Sequence, residues 1–128
     1  MNRYDPEAAP DPQRWLALDE GERKSLVEQY HRDERVDLPR RARPIHAAIH
    51  TIVENQLALG DPPIVGATLE RLLQEGLSRH EAIHAIGSVL LGYLNELLRA
   101  KAASSESHAP YYAALEKLTA QNWRERQS

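Results

Sequence analysis

The chain has 128 residues, a formal net charge of -3 and 27% charged side chains, which describes one ordinary domain with a mixed polar surface and gives no general electrostatic case for nucleic acid. It contains no cysteine, which excludes disulfides, thiolate catalysis and cysteine-ligated zinc fingers and leaves His, Asp, Glu or water as ligands for any metal. With no Phe and two Trp, the core has to be built from Leu, Ile, Val and Ala, which recur with helical periodicity nearly throughout.

The segment MNRYDPEAAPDP lacks the apolar run of a signal peptide, and nowhere does the sequence approach the roughly 20 apolar residues that span a bilayer, so a cytoplasmic protein without a membrane partner is expected. Asp5-Pro6, Pro10 and Asp11-Pro12 favour turns, and residues 1–11 read as a loose arm. Pro12 suits the start of a short helix carrying Trp15, Leu16 and Leu18. Asp19 and Glu22 resemble a capping box for a second helix that ends near Asp33 and turns Leu26, Val27 and Tyr30 inward. His31, near the end of that helix, reads as an exposed terminal histidine rather than an extra ligand.

Residues 31–44, HRDERVDLPRRARP, break the periodicity at Pro39 and Pro44 and collect Arg32, Arg35, Arg40, Arg41 and Arg43. Cations ahead of a helix N-terminus are badly placed for the helix dipole. The segment is therefore expected to be a solvated loop over 32–43 whose arginines pair with acids elsewhere or meet an anionic ligand or a protein partner.

Pro44 and Gly60 bracket a third helix with Ile45, Ile49, Ile52, Val53 and Leu57 inward, His46 and His50 on the flank and Glu54 at the edge. Asp61 and Pro62 start a helix that turns Val65, Leu69, Leu72 and Leu73 inward and closes at Gly76. Ser78 caps the longest helix, in which Ile83, Ile86, Leu90, Leu94 and Leu97 form an apolar arc with His80 and His84 inside or beside it. A small, polar linker over 102–109 leads to Pro110 and a last helix striped by Tyr111, Leu115, Leu118 and Trp123. No stretch alternates convincingly as a strand. The expectation is an all-α, up-down bundle of about five to six helices in a single domain spanning 1–128.

His80, Glu81 and His84 spell H-E-x-x-H, in which imidazoles one turn apart project from one face and can grip one metal ion. His46-Ala47-Ala48-Ile49-His50-Thr51-Ile52 repeats the pattern of His80-Glu81-Ala82-Ile83-His84-Ala85-Ile86. Counted from their caps, the two pairs stand at matching heights, to about one 1.5 Å step. If the two helices, joined through one intervening helix, run parallel, all four imidazoles meet at one end of the bundle. Burying four unpartnered polar rings is costly, and a shared metal satisfies them at once.

His46, His50, His80, His84 and Glu54 are thus expected to bind a divalent transition metal, zinc or iron. Metal-activated water is the simplest chemistry there, with Glu81 or Glu54 as general base, and non-heme iron chemistry is a second route. Glu81 has another reading, since Ser78-x-x-Glu81 is a capping box of the same helix. The alternative for the whole site is a non-enzymatic interaction or structural module with a buried histidine cluster. An ordinary imidazole pKa near 6.5 implies that metal is displaced below about pH 6.

The runs WLALDEGERKSLVEQYH, HAAIHTIVENQLA and TLERLLQEGLSRHEAIHAIGSVL resemble a family of small uncharacterised bacterial proteins classed as a domain of unknown function, over roughly residues 11–98. The resemblance implies that recurring polar positions fall on His46, His50, Glu54, His80, Glu81 and His84, and it implies no particular reaction. H-E-x-x-H is also the zincin protease signature, but zincins hold substrate against a strand, and none is expected here. His50-x-x-x-Glu54 with His80-x-x-x-His84 resembles two helices of hemerythrin-like diiron bundles, yet the last helix offers no H-x4-D.

Overall fold

The computed structural model describes residues 3–33, 43–99 and 108–127. Among them are seven helices and no strand, an all-α fold as the periodicity predicts. None of these helices is long and apolar enough to cross a membrane.

Local chemistry explains most of the boundaries. Helix α1 (Pro12–Ala17) starts where Asp11 accepts the Gln13 N–H and Pro12 takes the first position. Helix α2 (Glu20–Asp33) starts at a reciprocal box in which Asp19 accepts from Glu22 N–H and Glu22 accepts from Asp19 N–H. Helix α3 (Arg43–Leu59) ends at Gly60, whose φ of 67° lets the chain close with Asp61 N–H on the Gln56 carbonyl. Helix α4 (Pro63–Gln74) closes the same way at Gly76, φ 103°, with Leu77 N–H on the Leu72 carbonyl. Helix α5 (Arg79–Arg99) follows at once.

One element is more broken than its sequence pattern predicts. The last helix is two, α6 (Ala109–Lys117) and α7 (Ala120–Gln127). Thr119 and Asn122 cap each other reciprocally and restart the helix, while Arg71 donates to the Leu115 and Leu118 carbonyls and so satisfies groups that the break exposes.

Two apolar layers share α3. The larger contains Val53, Val65, Leu72, Ile83, Ile86 and Leu115 and joins α3, α4, α5 and α6. The smaller contains Tyr4, Trp15, Val27 and Ala47 and joins the N-terminal segment, α1 and α2 to the other side of α3. Covered on both sides, α3 buries His50, Thr51 and Glu54 along with Ala47 and Val53, whereas Ile45, expected inward, is 56% exposed. Leu73 of α4 is likewise 40% exposed.

Residues 3–11 are irregular but not loose. Tyr4 and Pro6 are buried, the Pro6 carbonyl accepts from Arg79, and Glu7 accepts the His80 backbone N–H. Most of the arginine-rich segment 32–43 and of the 102–109 linker lies outside the described residues. Of those arginines, Arg32 is exposed and donates to Gln29.

Candidate metal centre

Three helices converge between the two apolar layers, and each brings histidine. α2 contributes His31, α3 contributes His46 and His50, and α5 contributes His80 and His84. One ligand nitrogen from each of His31, His50, His80 and His84 lies within 4.8 Å of the others. His46 adjoins this group, with its ring centroid 4.5 Å from that of His31 and 4.8 Å from that of His84. The four expected imidazoles are thus together, and His31, expected exposed, joins them at 9% exposure. Its place in the cluster was hidden because His31 and His46 stand 15 residues apart on different helices, and no spacing rule spans the segment between them. His108 stands elsewhere, with Nδ1 3.0 Å from the Tyr93 hydroxyl.

The pairs do not meet in the expected order. His46 packs on His84 and His50 stacks on His80, at centroid distances of 4.8 and 5.6 Å. Glu54, one turn farther along α3, meets Arg79 at the start of α5, and Ile45 shares a cavity with Leu91. Rising numbers on α3 therefore match falling numbers on α5, the order of helices running in opposite senses rather than parallel. Caps fix a residue's height on its own helix but not the sense in which two helices face each other. The site survives because each helix offers a pair one turn apart, and exchanging the partners leaves the histidines together.

His50 is the centre of the group. It is 2% exposed, and its ring lies 5.5, 6.0, 5.6 and 5.4 Å from those of His31, His46, His80 and His84. Its Nε2 is 2.8 Å from the Tyr4 hydroxyl, which donates its own proton to Glu54. Nε2 must then carry a proton and donate to the Tyr4 oxygen, which leaves Nδ1 as the lone-pair nitrogen. That Nδ1 is buried and has no hydrogen-bond partner among the described residues.

A second tautomer follows in the same way. The Nδ1 of His31 is 2.7 Å from the Val27 carbonyl, an acceptor only, so Nδ1 donates and Nε2 keeps the lone pair. Metal-bound imidazoles characteristically give their other N–H to a carbonyl or to a carboxylate-linked acceptor, and both arrangements occur here. The remaining contacts are imidazole to imidazole, His46 Nε2 to His31 Nε2 at 2.9 Å and His80 Nε2 to His84 Nε2 at 3.0 Å.

The carboxylates are placed differently from one another. Glu54 is 1% exposed, at the cluster, but its oxygens are engaged: Arg79 donates to both at 2.8 Å and Tyr4 donates to Oε2. It fixes His50 through Tyr4. Burial opposes the charge on Arg79, but the hydrogen bonds and charge of Glu54 outweigh it and hold the guanidinium pKa above its ordinary value. Burial and the Glu54 charge likewise push the Tyr4 phenol upward. Glu81 is exposed, and its side chain accepts the Ser78 N–H while Ser78 Oγ accepts the Glu81 N–H. The capping-box reading describes its place, and its carboxylate is not among the grouped ligand atoms.

All five imidazoles are harder to protonate than free histidine. Burial is the leading cause in each; neighbouring imidazoles add to it at His46, His50, His80 and His84, while the Val27 carbonyl opposes it at His31. His46 is lowered to about 4 and His84 to about 3, with His50 well below its ordinary value. Neutral imidazole is the form that binds metal.

Sequence reasoning missed Tyr4 and Arg79. Tyr4 lies in a segment whose prolines signal turns, which says nothing about packing. The one available signal for it was a large aromatic in an otherwise polar stretch. Comparison with family models, with curated proteins and with solved structures found no match. The functional reading therefore rests on the chemistry of the site.

Proposed function

We propose that the protein binds a divalent transition metal, zinc or iron, through His31, His50, His80 and His84, with His46 beside them and with Tyr4, Glu54 and Arg79 holding His50 in its ligating tautomer. One observation carries the reading: on His50, whose ring has four other imidazoles around it, Nδ1 is buried with no hydrogen-bond partner among the described residues. An orphaned buried acceptor costs about 1–3 kcal/mol, and a metal ion would relieve it while using the lone pairs of its neighbours. An all-imidazole set suits zinc or ferrous iron, in keeping with the absence of thiolate.

A second reading draws on the two imidazole-to-imidazole contacts near 3 Å. They suit a metal-free structural cluster in which histidines satisfy one another. That reading leaves His50 Nδ1 unexplained, since its ring is the most deeply buried of the five.

Should the metal serve catalysis, its contribution would be to polarise or activate a bound oxygen. His46, neutral and outside the four-nitrogen group, is then better placed than Glu81 to exchange a proton with a ligand. Elemental analysis of protein purified without a histidine tag, followed by titration of chelated protein with zinc and with ferrous iron, tests the proposal. About one metal per chain is expected. Less than about 0.1 per chain, with no uptake of either ion, would overturn it in favour of the structural cluster.

A further inference from the structure

A cavity of about 280 Å³ opens against the histidines, near the lower end of the roughly 300–1,000 Å³ typical of small-molecule sites. Its polar corner is made by His46, His50 and His84. His31 and His80 do not line it, so it meets the cluster from one side only. The remaining wall is apolar: Ile45 and Ile49 from α3, Ile83 and Leu91 from α5, and Trp123 from α7. Ser88 also lines it, but its hydroxyl donates to the Ala85 carbonyl. Among the described residues, no Lys, Arg, Asp or Glu lines it.

The space between α3 and α5 is kept by a glycine. A Cβ at Gly87 would stand 3.0 Å from Ile49 Cγ2, closer than such contacts normally come. Any side chain there would push into the same gap that the cavity occupies.

Resting on the metal-binding reading above, we infer that this cavity is a ligand site for a compact molecule with one metal-binding head and a single uncharged apolar body of about one ring. The head would enter beside His46, on the face where His50 and His84 are reached, and join the ion as an added ligand, which zinc accommodates by moving to five-coordination and iron by filling an octahedral position. The body would lie between Ile49, Leu91 and Trp123. A second charge on that body would find no charged partner among the described lining residues, and its desolvation would count against binding.

The test uses the full chain loaded with cobalt(II), whose visible d–d bands report its coordination, and two probes with the same head: acetohydroxamate and benzohydroxamate. Cobalt per chain is measured first, and again after desalting with each probe. Benzohydroxamate is expected to bind at least about 10-fold tighter than acetohydroxamate, beyond the ratio the same two show for cobalt in solution. A 4-carboxybenzohydroxamate is expected to lose that advantage.

Leu91→Ala and Trp123→Ala, neither of them near a ligand nitrogen in sequence, should each cut the preference several-fold while cobalt per chain and acetohydroxamate affinity stay unchanged. Should Trp123→Ala lose its helical circular dichroism, Leu91→Ala carries the test. Bound cobalt with equal affinities for the two probes, or with a preference that Leu91→Ala leaves intact, overturns the ligand site and leaves the metal site standing. Failure to take up cobalt at all overturns both.

Discussion

Tyr4 is held by ring contacts with Trp15, Tyr30 and His50 that do not need its hydroxyl, so Tyr4→Phe isolates one oxygen atom. Without it, His50 Nε2 loses its acceptor and Glu54 loses a donor, while Arg79 still holds the carboxylate. A chelator-competition titration should show metal affinity reduced by about 10–100-fold, the usual effect of removing the group that orients a ligand imidazole. Unchanged affinity would mean that packing alone orients His50.

Acid stability belongs to the same scale. In chelated protein the folded-state histidine pKa values lie below the unfolded value near 6.5. Between that value and about 4 or 3, where His46 and His84 titrate, the unfolded chain binds more protons than the folded one. Stability is therefore complete above about pH 6.5 and falls as pH drops toward those folded values. Urea midpoints of chelated protein should decline through that window, and His46→Gln should flatten the decline. The same shifts place the expected release of metal below pH 6. Neutral imidazoles in the folded site resist proton competition to lower pH, so release should track unfolding rather than histidine titration.

At the scale of the helices, Glu81 separates two roles that its sequence context left open. Glu81→Ala should lower stability by about 1 kcal/mol, through loss of the acceptor for Ser78 N–H, and leave metal stoichiometry unchanged. Metal lost along with stability would return Glu81 to the site. Helix existence, and most starts and stops, were legible because Asp19, Gly60, Gly76 and Ser78 act over three or four residues. The facing of helices was not. α3 reads as an amphipathic helix with Ile45 inward, but it is covered on two sides, and its buried face is turned to His50 and Glu54. The break after Leu118 was visible in principle as Thr119-x-x-Asn122, but the continuous stripe of Tyr111, Leu115 and Leu118 concealed it. Among the site residues, those sharing a helix with a partner histidine were found by spacing. His31, Tyr4 and Arg79 arrive through tertiary packing, which a local pattern does not encode.

At the scale of the whole molecule, the histidines occupy the seam between two apolar layers, with His31 on the side of the smaller layer and His80 and His84 on the larger. An ion there would be a crosslink. Layers joined by a shared helix and by a few polar contacts, such as Arg79 with the Pro6 carbonyl and Glu7 with the His80 N–H, can open separately, and the smaller one, with fewer buried apolar groups, is the natural subunit of local opening. Amide hydrogens of α1 and α2 should therefore exchange in chelated protein by a partial opening that leaves α4 and α5 protected. Metal would tie His31 to His84 and merge the two events, raising protection in α1 and α2 toward that of α5. Native-state hydrogen exchange with and without metal reads this directly, and one uniform opening free energy in the chelated protein would show that the protein's own contacts already make the layers cooperative. On this reading the site would govern which parts of the chain become accessible to proteases when the ion is withdrawn, and metal supply would set the lifetime of the protein.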